Sequence, residues 1–117
     1  MSTIDKLERL ISNLLQSTLN NSIVWRIEAP PAALIENTDS FFPLFLITTY
    51  KDKKIGLYEQ RYKYYMDEDA WCWATEFGLC VFTNNYISYK YEKSSPALKS
   101  LFLKASEQAS GIDDLLN

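Results

Sequence analysis

Residues 61–73 read Arg61-Tyr62-Lys63-Tyr64-Tyr65-Met66-Asp67-Glu68-Asp69-Ala70-Trp71-Cys72-Trp73, and this stretch decides the fold. Tyr62 and Tyr64 alternate with Arg61, Lys63 and Tyr65, the period-two pattern of a strand with side chains on opposite faces. After the polar turn Asp67-Glu68-Asp69, Trp71 and Trp73 share one face, with Cys72 and Ala74 on the other. The expected structure is an antiparallel hairpin. The turn register sets whether Tyr64 or Tyr65 stands opposite a Trp, and each aromatic cross-strand pair adds about 0.2–1 kcal/mol.

Upstream the pattern changes phase. Ile55 and Leu57 place their apolar character at odd positions, whereas Tyr62, Tyr64 and Met66 place it at even ones. Either a bulge near Glu59-Gln60 switches the faces, or both faces are partly covered. With residues 55–66 as one strand and 70–83 as the next, more strands follow on both sides. Residues 42–50, rich in Phe, Ile and Thr, form a strand closed by the polar run Lys51-Asp52-Lys53-Lys54. Asn84-Asn85 signals a tight turn before a last strand at 86–91. Nearer the N-terminus, residues 23–28 alternate with Ile23, Trp25 and Ile27 on one face. Pro30-Pro31 ends that strand, and a loop runs to Ser40 with one helical turn at 32–35.

Helices flank this block. Ile4, Leu7, Leu10, Ile11, Leu14 and Leu15 recur at helical spacing, with Ser2 or Thr3 as cap and Asp5 in the first turn. The pattern stops at Leu19-Asn20-Asn21. Ser95 reads as the N-cap and Pro96 as the first residue of a second helix, with Leu98, Leu101, Phe102, Ala105 and Ala109 on one face. Gly111 sits where a left-handed C-cap is wanted. Ile112, Leu115 and Leu116 are expected to fold back onto the body. The fold class expected is α+β, an antiparallel sheet of about five strands with the N- and C-terminal helices packed on one face.

The chain has 117 residues, 47% of them hydrophobic, which suits one globular domain spanning residues 1–117. Its aromatic fraction of 15% is more than one small core easily hides. A net charge of −3 argues against a general phosphate-backbone binder. No apolar run approaches the roughly 20 residues that span a bilayer, and the first residues lack the layout of a signal peptide. Cys72 and Cys80 lie in apolar sequence and read as buried free thiols. A cytoplasmic protein is expected.

The sequence contains no histidine, the commonest general base and metal ligand. Two thiols are too few for a structural zinc site, and no phosphate loop, nucleophile elbow or dinucleotide fingerprint is present. Asp67 and Asp69 offer hard oxygen ligands, but an acidic triplet between strands is usually a solvated turn. The expectation is a protein that is not an enzyme, with no cofactor and no metal.

The candidate site is therefore the hairpin itself: Arg61, Tyr62, Lys63, Tyr64, Tyr65, Asp67, Glu68, Asp69, Trp71 and Trp73. In the plainer reading these aromatics are core and Arg61 and Lys63 snorkel outward. In the functional reading part of the cluster stays exposed and binds a partner, since Tyr, Trp and Arg dominate interface hot spots. The partner expected is another protein, with a basic surface as one fit to the acidic turn. An inhibitor, an immunity protein or an anti-defence protein would act this way, as monomer or dimer. A secretion-type chaperone and a small-ligand binder are the rivals. Single-stranded nucleic acid, stacking on the sheet, ranks behind them, and a membrane is not expected.

Arg61-Tyr62-Lys63-Tyr64-Tyr65, one variable residue and Asp67-Glu68-Asp69 resemble a segment of small uncharacterised bacterial proteins, many of them cyanobacterial. Thr49-Tyr50-Lys51 and the tail Ile112-Asp113-Asp114-Leu115-Leu116 resemble the same group, from about Thr48 onward. Met66 departs from it, standing where a small polar residue such as Thr is expected. The resemblance implies an antiparallel hairpin and implies no activity.

Overall fold

The computed structural model describes residues 3–36, 38–93 and 95–116, apart from the side chains of Thr3, Ile4 and Asp113. The chain runs α1 (Thr3–Leu19), β1 (Arg26–Ile27), α2 (Ala32–Ile35), β2 (Phe41–Tyr50), β3 (Lys53–Tyr65), β4 (Trp71–Thr83), β5 (Tyr86–Tyr91), α3 (Pro96–Ser110) and α4 (Ile112–Leu115). The strands form one sheet in sequence order, and each neighbouring pair is antiparallel. The fold is thus α+β, an open meander with a helix at each end.

Two-residue turns join β2 to β3 and β4 to β5. Lys51 and Asp52 have φ of 50° and 66°, and Asn84 and Asn85 have 52° and 73°. Paired positive φ values match the right-handed twist of the flanking strands. Two residues suffice, so Lys53 and Lys54, expected in the turn, belong to β3.

One face of the sheet is covered by helices. Leu7, Ile11 and Leu14 of α1 and Leu98, Leu101, Phe102 and Ala105 of α3 pack on Leu46, Ile55, Leu57 and Leu79. Each such Leu or Ile contributes about 1.5–3 kcal/mol by burial. The caps are as the sequence predicts for α3. Ser95 Oγ accepts from the Leu98 N–H at 3.2 Å, and Gly111 ends the helix at φ 69°. The cap expected at Ser2 or Thr3, and Ile4 in the stripe, fall outside the described groups.

The opposite face carries a smaller cluster of Leu34, Phe45, Ile47, Tyr58 and Cys80. It resolves the phase change in β3. Pairing with β4 runs without a break from Ile55 to Tyr65, so there is no bulge at Glu59-Gln60, and both faces are covered. Irregularities fall instead between Phe41 and Leu44 and between Val81 and Phe82.

Three expectations are corrected. The strand at 23–28 shrinks to two residues, because α3 captures the backbone before it: the Trp25 N–H donates to Gln108 Oε1 at 2.8 Å, and Gln108 Nε2 donates to the Ile23 carbonyl at 2.9 Å. Ile23 and Trp25 are buried, but Ile27 is exposed. The tail does not fold back, since the left-handed turn at Gly111 leads it away from the core and Leu115 and Leu116 are each 80% exposed. Cys80 is buried, but Cys72, beyond the helices, is exposed.

β2 pairs with β3 only as far as Arg61, and β5 pairs with β4 only as far as Leu79. Residues 62–65 and 71–74 therefore continue as a two-stranded arm. It contributes to a radius of gyration of 15.1 Å, above the roughly 13 Å expected of a compact chain this long. Among the described residues no helix is long and apolar enough to cross a membrane.

Candidate functional site

The arm brings the expected site residues together but sorts them onto two faces. Residues directly opposite in an antiparallel pair share a face, and the pairs are Arg61 with Thr75, Lys63 with Trp73 and Tyr65 with Trp71. These side chains continue the helix-covered face set by Ile55 and Leu57. Tyr62 and Tyr64, paired with Ala74 and Cys72, lie on the other face. Of the two tyrosines that could have met a Trp, Tyr65 does so.

On the helix side the rings interlock. Trp71 and Trp73 meet edge to face with centroids 5.2 Å apart, and Phe41 meets Trp73 in the same manner at 5.2 Å. The Lys63 ammonium lies 4.8 Å from the Trp71 ring centroid, and the Arg61 guanidinium 5.8 Å from that of Phe41. Despite these contacts the rings remain open to solvent: Phe41 is 43% exposed, Trp71 42%, Trp73 48% and Tyr65 57%. Helix α3 reaches only as far as Phe77, which packs on Phe102 at 4.8 Å between centroids. The core reading therefore fails for Trp71, Trp73 and Tyr65.

The acidic triplet is a capped turn at the tip of the arm. Asp67 Oδ1 accepts from the Asp69 and Ala70 N–H groups at 2.8 and 2.9 Å, and the Met66 N–H donates to the Ala70 carbonyl at 2.8 Å. One oxygen of Asp67 is thus used by the turn itself. Among the described residues no three His, Cys, Asp or Glu side chains converge as a metal site would require.

Sequence reasoning missed two members of the face. Phe41 lies outside the hairpin and arrives through its pairing with Arg61. Glu59 accepts from Arg61 Nε at 3.1 Å, whereas Lys63 has no ion-pair partner among the described residues. No alternation within 61–73 signals either one, because both depend on the register between strands.

Beneath the opposite face, the Tyr58 hydroxyl is buried with no hydrogen-bond partner among the described residues. Burial, and after it the charge of Glu92, hold its ionisation above the ordinary phenol range. Desolvation, then Glu92, also raises the pKa of Glu76. Burial pushes the Cys80 thiol up to about 12.

Beside the arm, a groove of about 590 Å³ separates Thr75, Glu76 and Phe77 of β4 from Lys93, Ser95, Pro96 and Lys99 at the start of α3. No family model matches the chain, and no curated protein or solved structure matches it either.

Proposed function

We propose that this chain is a non-enzymatic interaction module that occupies the surface of a partner protein with the helix-side face of its arm. The observation that carries the reading is the exposed set of Phe41, Trp71 and Trp73, already held against one another before any partner arrives, with Tyr65 opposite Trp71 on the same face. Rings fixed in this way lose little freedom on binding, and large rigid aromatics supply most of the energy of protein interfaces. An inhibitor or immunity protein works by such blocking.

The partner's matching surface has an apolar centre with a carboxylate placed to meet Lys63. A basic patch on the partner would suit the acidic tip, which lies off the aromatic face. Single-stranded nucleic acid fits less well. Glu59 neutralises Arg61, the tip is acidic and the whole chain carries −3, whereas phosphate binding needs several cations.

The test is affinity capture with three chains: wild type, Trp71→Ala/Trp73→Ala and Tyr64→Ala. Tyr64 lies on the opposite face of the same arm, so it controls for damage to the hairpin. A protein retained by wild type and Tyr64→Ala but lost by the double variant, with its melting transition intact, is the expected outcome. Equal retention by all three chains would remove this face from the interaction. Saturable binding of a labelled single-stranded oligonucleotide, lost with the tryptophans, would favour the nucleic-acid reading instead.

A further inference from the structure

The edge of β4 is a feature separate from the aromatic face. In an antiparallel ladder, hydrogen-bonded and non-bonded pairs alternate. The Met66 N–H to Ala70 carbonyl bond starts that alternation, so the even-numbered residues of β4 bond to β3. The odd-numbered Trp71, Trp73, Thr75 and Phe77 turn their N–H and C=O groups away from β3. Farther along, Leu79 and Val81 spend theirs on Tyr91 and Tyr89 of β5. From Trp71 to Phe77 no strand of the described residues lies on that side.

An open, regular edge of this length is a template for another strand, and proteins usually blunt such edges with proline, lysine or a bulge. Elsewhere this sheet does so. The start of β2 holds Pro43 within an irregularity between Phe41 and Leu44, and β5 carries Lys90 and faces the break at Val81 and Phe82. Residues 71–77 hold no proline, lysine or arginine, and their pairing with β3 is unbroken.

We propose that two copies of this chain pair antiparallel through residues 71–77 of β4, about a two-fold axis at Ala74, with the acidic turn of each copy docked in the other's Lys93–Lys99 groove. The register follows from the ladder. Outward-facing odd residues must meet odd residues, and only an axis at Ala74 uses the whole window. Centring on Thr75 would set Trp71 opposite Leu79, where Tyr91 already stands. With the axis at Ala74, Trp71 faces the second copy's Phe77, Trp73 faces its Thr75, and Ala74 faces Ala74. Identical residues on a two-fold axis approach to about 4.5 Å between Cα atoms in a non-bonded pair, and alanine tolerates that closeness without repulsion.

Charge supports the same arrangement. Continuing past Trp71, the second copy's chain reaches Asp69, Glu68 and Asp67 where the first copy leaves β5 for α3. There the groove presents Lys93 and Lys99 beside the helix N-terminus, with Glu76 as its one acidic lining residue. Opposite charges thus meet twice across the axis, and the aromatic faces of both copies stay on the same side of a ten-stranded sheet.

Sedimentation equilibrium over a concentration series tests this on the full chain. Wild type should pass from the monomer mass to twice that mass. Thr75→Pro removes an N–H that no strand of the monomer uses, and it should sediment as a folded monomer. Glu68→Lys/Asp69→Lys sets lysine turns against lysine grooves, and Lys93→Glu/Lys99→Glu sets acidic turns against acidic grooves. Each should weaken self-association roughly tenfold or more, and an equimolar mixture should restore it as a heterodimer, because both contacts then regain opposite charges. Wild type that remains monomeric throughout would overturn the proposal, as would a folded Thr75→Pro chain that dimerises normally. If Thr75→Pro fails to fold, the mixture decides. Absence of a heterodimer stronger than either parent overturns the docking of turn into groove.

Discussion

The ring of Tyr58 lies across Gly78, its neighbour on β4. A Cβ placed on Gly78 would collide with ring atoms Cζ and Cε2 and stand 2.5 Å from the hydroxyl oxygen. The absence of a side chain at Gly78 is what allows the ring to lie flat on the sheet.

Gly78→Ala should therefore cost about 1–3 kcal/mol, the usual penalty for overpacking, read as a lower urea midpoint at unchanged slope. Tyr58→Phe tests the same site from the other side. It removes a buried hydroxyl that has no hydrogen-bond partner among the described residues, so it should be neutral or stabilising by up to about 1 kcal/mol. A clear loss of stability in Tyr58→Phe would mean that the hydroxyl is satisfied by bound water.

Glu76 gives the protein a dependence on pH of unusual sign for a carboxylate. Desolvation and Glu92 raise its pKa in the folded state, so the folded chain holds this proton more tightly than the unfolded chain. Its contribution to stability is fully present below the ordinary carboxylate range of about 4.3 and is lost as pH rises through the folded-state value. Glu76→Gln should abolish that loss and melt higher than wild type at neutral pH, with the difference shrinking in acid. Thermal melts of both chains across the acid range check it.

The two thiols should react very differently. Cys72 is exposed on the arm, whereas Cys80 is buried and its thiol is pushed up to about 12. Since the thiolate is the nucleophile, iodoacetamide should label one site per native chain and two in denaturant, as counted by mass spectrometry. Rapid native labelling of Cys80 would show that the layer beneath Phe45 opens readily.

Gln108 ties α3 to the segment 21–25, which no local sequence connects to it. Its Oε1 accepts from the Trp25 N–H, while its Nε2 donates to the Ile23 carbonyl at 2.9 Å and to Asn21 Oδ1 at 3.2 Å. Gln108→Ala would leave buried backbone groups unpaired, at a cost of about 1–3 kcal/mol. The loss should appear in chemical denaturation followed by tryptophan emission, with Trp25 fluorescence shifting as its loop loosens.

Much of the architecture was legible because it rests on local rules. The stop at Leu19, the Ser95 cap, Pro96, Gly111 and the Asn84-Asn85 turn each follow from the conformational preferences of single residues. The alternation across Asp67–Asp69 gave both strands of the hairpin and the grouping of side chains within each strand, while the partners across the turn waited on its register. The strand at 23–28 failed because a side chain 83 residues away bonds to its backbone, a competition that no window of sequence contains. The tail failed for a related reason. Ile112, Leu115 and Leu116 are apolar enough to bury, but they follow the left-handed turn at Gly111 and stay exposed.

By itself the sequence determined the order of the main helices and strands, the antiparallel connections and the hairpin at 61–73, because periodicity and turn chemistry act over a few residues. Which of those residues share a face with Phe41, where the helices stop covering the sheet and which edge is left open were decided only by tertiary structure. Those outcomes depend on inter-strand register and on the reach of α3, which are set by packing between segments far apart in the chain.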